Sequence, residues 1–151
     1  MADLVDSITR SRMMAAVKSS NTKPELQIRS ILHKRGFRYR LHVKNLPGKP
    51  DIVLPKYRSV IFINGCFWHG HENCRFFKLP TTRTDFWKEK ISRNKNNDSN
   101  AIAGLLANNW KVCIIWQCKI RESKKDLDAL GDIISNFIMG KELLLELRDN
   151  Y

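Results

Sequence analysis

The chain has 151 residues, 42% of them hydrophobic, which suits one globular domain that can bury a core without disulfide staples. Its 27 basic against 15 acidic residues leave a formal charge of +12, so the natural partner is a polyanion, nucleic acid before any other. No apolar run approaches the roughly 20 residues that cross a bilayer, and Met1–Ser7 carries acids instead of an apolar signal core, so the expectation is an intracellular, cytoplasmic protein with no membrane partner.

Residues 1–22 read as a basic arm, with a short helical stretch at Thr9–Val17 that ends in the polar break Lys18-Ser19-Ser20-Asn21. The main domain follows over 23–140. Thr22-Lys23-Pro24-Glu25 has the form of a capping box, with Thr22 as N-cap and Pro24 in the first turn of a helix that runs to Arg35 and stops at Gly36. Phe37, Tyr39, Leu41 and Val43 alternate with polar residues, the period of a half-exposed strand. After the turn Leu46–Pro50, Asp51–Leu54 and Ser59–Asn64 are short and nearly all apolar, which predicts two strands at the centre of a sheet. Thr84 to about Asn109 is helical, with polar Arg93–Asn97 as the place for a kink, Trp110–Trp116 is a fourth strand, and Lys124–Met139 is a closing amphipathic helix. Residues 141–151 carry no motif and read as a tail. The order αβββαβα predicts an α/β fold with a central mixed sheet flanked by helices.

Four cysteines in a reducing compartment point to metal ligation or buried thiols before disulfides. Cys66, His71 and Cys74 fall within nine positions, and Cys118, just past the fourth strand, is the better fourth ligand because Cys113 lies inside that strand among Val112, Ile114 and Ile115. The quartet Cys66, His71, Cys74 and Cys118 reads as a closed structural Zn²⁺ site, against the alternative of unlinked buried thiols. Such a clamp would stiffen the loop and hold Phe67 and Trp68 outward, where aromatic wedges on basic proteins insert between base pairs. Met14 on the arm is a second candidate wedge.

Asp51 opens a buried strand within reach of Glu25 and of the strand end Ile63-Asn64, an arrangement suited to oxygen-loving Mg²⁺. Each carboxylate alone reads rather as a cap; with the basic surface and His69 the metal reading leads. His69 is the candidate general base, and Asp98, in the helical stripe Lys90, Asn94, Asp98, is the candidate orienter of its second nitrogen.

Taken in order, Arg10–Met14, Asn21–Glu25, Leu46–Val53, Gly65–His71, Thr82–Trp87 and Lys90–Asn94 resemble the signatures of the very short patch repair (Vsr) mismatch endonucleases. The resemblance implies a restriction-endonuclease-like fold of the PD-(D/E)xK type, with Asp51 as the central Mg²⁺ ligand helped by the Ile63 carbonyl. It makes His69 the base, oriented by Asp98, and gives Glu25 a supporting role in the metal-site water network. Met14, Phe67 and Trp68 would intercalate, and Lys90 and Asn94 would contact the groove near the mismatch. Asn64 departs from the pattern: members carry His or Asp there, and an amide holds no charge. The loop between His71 and Cys74 is also one residue longer than in some members. The expected protein is a monomeric Mg²⁺-dependent endonuclease, with two ions, that nicks one strand of double-stranded DNA 5′ to the thymine of a T:G mismatch in repair of deaminated 5-methylcytosine, alongside other mismatch-repair proteins. The alternatives are a nicking nuclease of the same fold for matched sites or other lesions, and a zinc-stabilised DNA-binding module without catalysis.

Overall fold

The computed structural model describes residues 22–149; Met14 and nearly all of the arm lie outside them. The first helix, α1 (Lys23–Lys34), carries Pro24 in its first turn and buries Ile28, Ile31 and Leu32 along one stripe. The capping box does not form. Thr22 occupies the N-cap without a side-chain bond, and Glu25 is buried, with one oxygen 3.3 Å from the Arg29 guanidinium one turn on. Gly36, at φ +81°, takes the left-handed conformation that ends the helix.

The strand expected over 37–43 is reduced to a single bridge, Arg40 to Val53. His42 at φ +57° turns the chain out of the extended region and breaks the run that the alternation suggests. Next come β1 (Ile52–Leu54), a 3₁₀ turn (Pro55–Tyr57), β2 (Ser59–Asn64), α2 (Thr84–Ala107), β3 (Lys111–Trp116), α3 (Gln117–Glu122), a second 3₁₀ turn (Ser123–Lys125), α4 (Leu127–Met139) and β4 (Leu144–Leu147). α2 is one unbroken helix. α4 starts later than the sequence suggests because Asp126 caps it, accepting from the Ala129 N–H at 3.0 Å.

The sheet order is β1-β2-β3-β4, with β1 antiparallel to β2 and the other two pairs parallel. β1 is thus an outer strand and not a central one; it is apolar because both faces are covered. Residues 141–151, read as a tail, supply β4, whose short Leu144–Leu147 run pairs with Val112–Ile115. Lys111 fixes the approach, donating to the Phe137, Ile138 and Gly140 carbonyls at the end of α4.

Strand alternation divides the core in two. Ile52, Leu54, Ile61, Cys113 and Ile115 face α1 and α4, where they meet Ile28, Leu32, Leu130, Ile134 and Phe137. Val53, Val60, Val112, Ile114 and Trp116 face α2 and the loop that carries Cys66 and Cys74. The result is the expected α/β architecture, a mixed sheet between helical layers, with the C-terminal ends of β2 and β3 opening side by side toward residues 64–71. No helix of the described residues is long and apolar enough to cross a membrane.

Candidate active site and metal centre

Asp51 stands immediately before β1, and its Oδ2 accepts from the Ile63 N–H at 2.7 Å, which ties the outer strand to the end of β2. It shares a cleft of about 640 Å³ with Glu25, Ile63, Asn64, Trp68, His69 and Lys90. Burial pushes the Asp51 carboxyl up from 3.8 to about 6; the Ile63 N–H opposes this, the negative Glu25 adds to it, and His69 and Arg29 pull it back. A buried carboxylate whose charging cost is raised further by a second one is relieved by a divalent cation, and carboxylate oxygens are the donors Mg²⁺ takes. The bond to Ile63 runs through its N–H, so the strand positions Asp51. Asn64, buried at the end of β2, lies on the wall of the same cleft.

His69 Nδ1 lies 2.6 Å from Asp98 Oδ2. A carboxylate only accepts, so Nδ1 carries the proton, and in the neutral ring Nε2 then has the lone pair that a general base requires. The chain reaches this geometry through Gly70. Its φ is +58°, and a Cβ there would stand 2.5 Å from Ile91 Cγ2, so only glycine lets the loop press against α2. Asn94, one turn before Asp98, donates from Nδ2 to the Trp68 carbonyl at 2.9 Å. The residue expected at a DNA groove therefore also braces the loop.

The aromatics do not project freely. Phe67 and Trp68 are half-buried and meet edge to face at 5.3 Å, and both pack on Trp87 of α2, at 5.5 and 5.7 Å between centroids. Trp87, with Phe86 exposed beside it, is the site residue that sequence reasoning passed over; its signal was a pair of adjacent aromatics opening a basic helix. The Lys90 ammonium stands 5.5 Å over Trp68 and 5.8 Å over Trp87, so charge and ring faces form one surface at the cleft rim.

On the other side of the loop, Cys66, His71, Cys74 and Cys118 are all buried, with their ligand atoms within 4.8 Å of one another. A tetrahedron with bonds of about 2.3 Å has edges of roughly 3.8 Å, so a small contraction around an ion closes the site. Local turns build it: the His71 N–H donates to the Cys66 carbonyl at 2.9 Å, and the Phe77 N–H to that of Cys74 at 3.1 Å. Cys118 arrives on the first turn of α3, directly beyond β3. Burial pushes the Cys66 and Cys118 thiols up and the His71 imidazole down. Neutral imidazole is what a metal takes, and thiols buried without a counter-charge ionise when a soft dication replaces the proton. The donor set fits a closed site of the zinc type. Cys113 is buried in the other core layer, and burial raises its thiol to about 12, as befits an inert core residue.

Residues 2–75 match the family model described as DNA mismatch endonuclease Vsr. The Type II nicking enzyme V.XorIIP of Xanthomonas oryzae pv. oryzae is 45% identical over 91% of this chain and 98% of its own. The DNA mismatch endonuclease Vsr of Escherichia coli is 42% identical over 93% and 90% respectively. The Type II nicking enzyme V.NmeAIP of Neisseria meningitidis is 43% identical over 89% and 95%.

Proposed function

The chain belongs to the Vsr family of DNA mismatch endonucleases, and from that premise and the site above we propose that it nicks one strand of double-stranded DNA 5′ to the mispaired thymine of a T:G mismatch, in repair of deaminated 5-methylcytosine. The observation that carries the catalytic reading is the 2.6 Å bond from His69 Nδ1 to Asp98, made at the edge of the cleft that holds Asp51. Asp98 keeps the imidazole proton on Nδ1, and Nε2 takes the proton of the attacking water. Asp51, with the Ile63 carbonyl as a further donor, would hold Mg²⁺, two ions in this reading, which would supply positive charge for the attacking and leaving oxygens. Glu25 orders water beside Asp51, and Asn64 contributes an uncharged hydrogen-bonding amide to the cleft wall. Hydrolysis leaves a 5′-phosphate and a 3′-hydroxyl.

Recognition falls to the aromatic rim. Phe67 and Trp68, backed by Trp87 and joined by Met14 from the arm, enter the stack beside the mismatch, which costs a few kcal/mol of unstacking that wider contacts offset. Lys90 and Asn94 face the groove, and the net charge of +12 supports binding to the backbone. Cys66, His71, Cys74 and Cys118 would hold Zn²⁺ with all four donors from the protein, a set that would serve structure alone. The chain acts as a monomer in the cytoplasm, with other mismatch-repair proteins as partners.

The test is a nicking assay on end-labelled duplexes that differ only at one pair, with and without Mg²⁺. Cutting confined to the strand with the mispaired thymine, and only with the metal, is expected. Equal cutting of the matched duplex would transfer the chain to a site-specific nicking role, and tight salt-sensitive binding without any nick would make it a binding module.

A further inference from the structure

Arg148 and Asp149 follow β4, and neither has a part in the reading above. The pairing of Leu147 with Ile115 brings them to the end of β3, beside Trp116 and Cys118. There the Arg148 guanidinium donates from Nη1 to the Glu72 carbonyl and from Nη2 to the Asn73 carbonyl, both at 2.8 Å. Glu72 and Asn73 are the two residues between the ligands His71 and Cys74, and Asn73 is held at φ +53°. One planar side chain therefore fastens, from more than seventy residues away, the stretch of loop that sets the spacing of two donors.

Asp149 is the more unusual residue. Its side chain is 2% exposed, and neither carboxylate oxygen has a hydrogen-bond partner among the described residues; the nearest cation is Arg148 at 3.6 Å. Its backbone N–H donates to the Cys118 sulfur, and its negative charge acts on His71. The His71 ring lies flat on Trp116, centroids 3.9 Å apart and planes 5° from parallel. Its Nδ1 points to Cys118 Sγ at 3.6 Å, which leaves Nε2 buried and likewise without a hydrogen-bond partner. A buried ring nitrogen and a buried carboxylate, each unfilled and each on a residue that contacts Cys118, are complementary. A metal-bound histidine characteristically donates its other N–H to a carboxylate, which fixes the tautomer and raises the basicity of the ligand.

We infer that Arg148 and Asp149 are positioning residues of the cysteine–histidine metal site: Asp149 accepts the Nε2–H of His71 when Nδ1 binds the ion, and Arg148 clasps the His71–Cys74 loop. The C-terminal strand is thereby part of the metal centre, and through it of the loop that carries Phe67, Trp68 and His69. This rests on the reading of the four residues as a zinc site. The full chain is purified with zinc, and release to a chromogenic chelator is followed together with the visible spectrum of the cobalt-substituted protein. Asp149→Asn should weaken zinc binding about tenfold and alter the cobalt spectrum, because the ligand imidazole loses its anionic acceptor. Asp149→Glu, which keeps the carboxylate, should recover much of the affinity, and Arg148→Met should speed release with little spectral change. Should Asp149→Asn fail to fold, the release rate of Arg148→Met against wild type decides. A wild-type release rate in Arg148→Met, or a wild-type release rate and cobalt spectrum in Asp149→Asn, overturns the inference while leaving the zinc site intact. A wild-type chain that takes up neither metal overturns the zinc reading and the inference with it.

Discussion

The segment from Asn64 to His71 separates two centres built on opposite terms. On one side, four soft donors are sealed from water and brought within 4.8 Å of one another by local turns and one strand end. On the other, Asp51 and Glu25 face an open cleft, with the Asp51 carboxyl pushed up to about 6 by burial and by its neighbour's charge. The first arrangement suits a permanent ion that rigidifies the chain; the second suits a hard cation that comes and goes with substrate. His69 belongs to both, since the loop between ligands carries it while its partner Asp98 comes from α2. In the proposed mechanism, a base on the loop and an exchangeable metal on a sheet edge would separate stability from catalysis.

That separation breaks most visibly if the sealed side is opened. Stripping the soft ion, or Cys118→Ser, should remove a binding contribution on the order of 10 kcal/mol and collapse the loop, seen as a large drop in thermal midpoint by circular dichroism and loss of the tryptophan emission of the native state. Asp51→Ala should do the reverse. It should lower the single-turnover nicking rate by about 10⁴-fold, the equivalent of several kcal/mol, with DNA affinity by fluorescence anisotropy retained and the thermal midpoint not lowered. His69→Ala should cost roughly 10²–10⁴-fold in the same assay, with Asp98→Asn at the lower end and Mg²⁺ dependence unchanged in both. Gly70→Ala crosses the boundary: the new methyl meets Ile91 and the left-handed φ is strained, so a loss of about 2 kcal/mol in stability and a weakened nick are expected together.

The smallest effect sharpens the cleft's side of the comparison. With its carboxyl raised from 3.8 to about 6, Asp51 favours the folded state when protonated, so its contribution is intact below about pH 4 and is lost as pH climbs through about 6. Asp51→Asn should therefore raise the thermal midpoint of the metal-free protein by roughly 3–6 °C at pH 8 and by almost nothing at pH 4. For the same reason nicking should fall as pH drops through about 6, and added Mg²⁺ should move that limb lower, because metal and proton compete for one carboxylate.

Much of this was legible residue by residue. Cys66, His71 and Cys74 lie close in the chain, and Cys118 follows an apolar run too regular to be anything but a strand, so the quartet was available from spacing. Asp51 and His69 stood out only in conjunction, because a carboxylate that alone reads as a turn cap gains a second meaning beside a basic surface and a histidine set between metal-ligand positions. The strand expected at 37–43 failed because alternation reports burial and not pairing, and His42 turns the backbone away after one bridge. β4 was missed because four residues with one charge carry too little periodicity to register. Trp87 was missed because its partners, Phe67 and Trp68, lie about twenty residues away.

By itself the amino-acid order determined which residues are apolar, which are chemically able to hold a metal, and where local turns start and stop, since those properties act over a few positions. Only tertiary structure decided that Ile63 holds Asp51, that Asp98 holds His69, and that Arg148 reaches Glu72 across the molecule. Those contacts join segments that local preference leaves independent, and they form when burial of two core layers aligns the strand ends and brings the groups together.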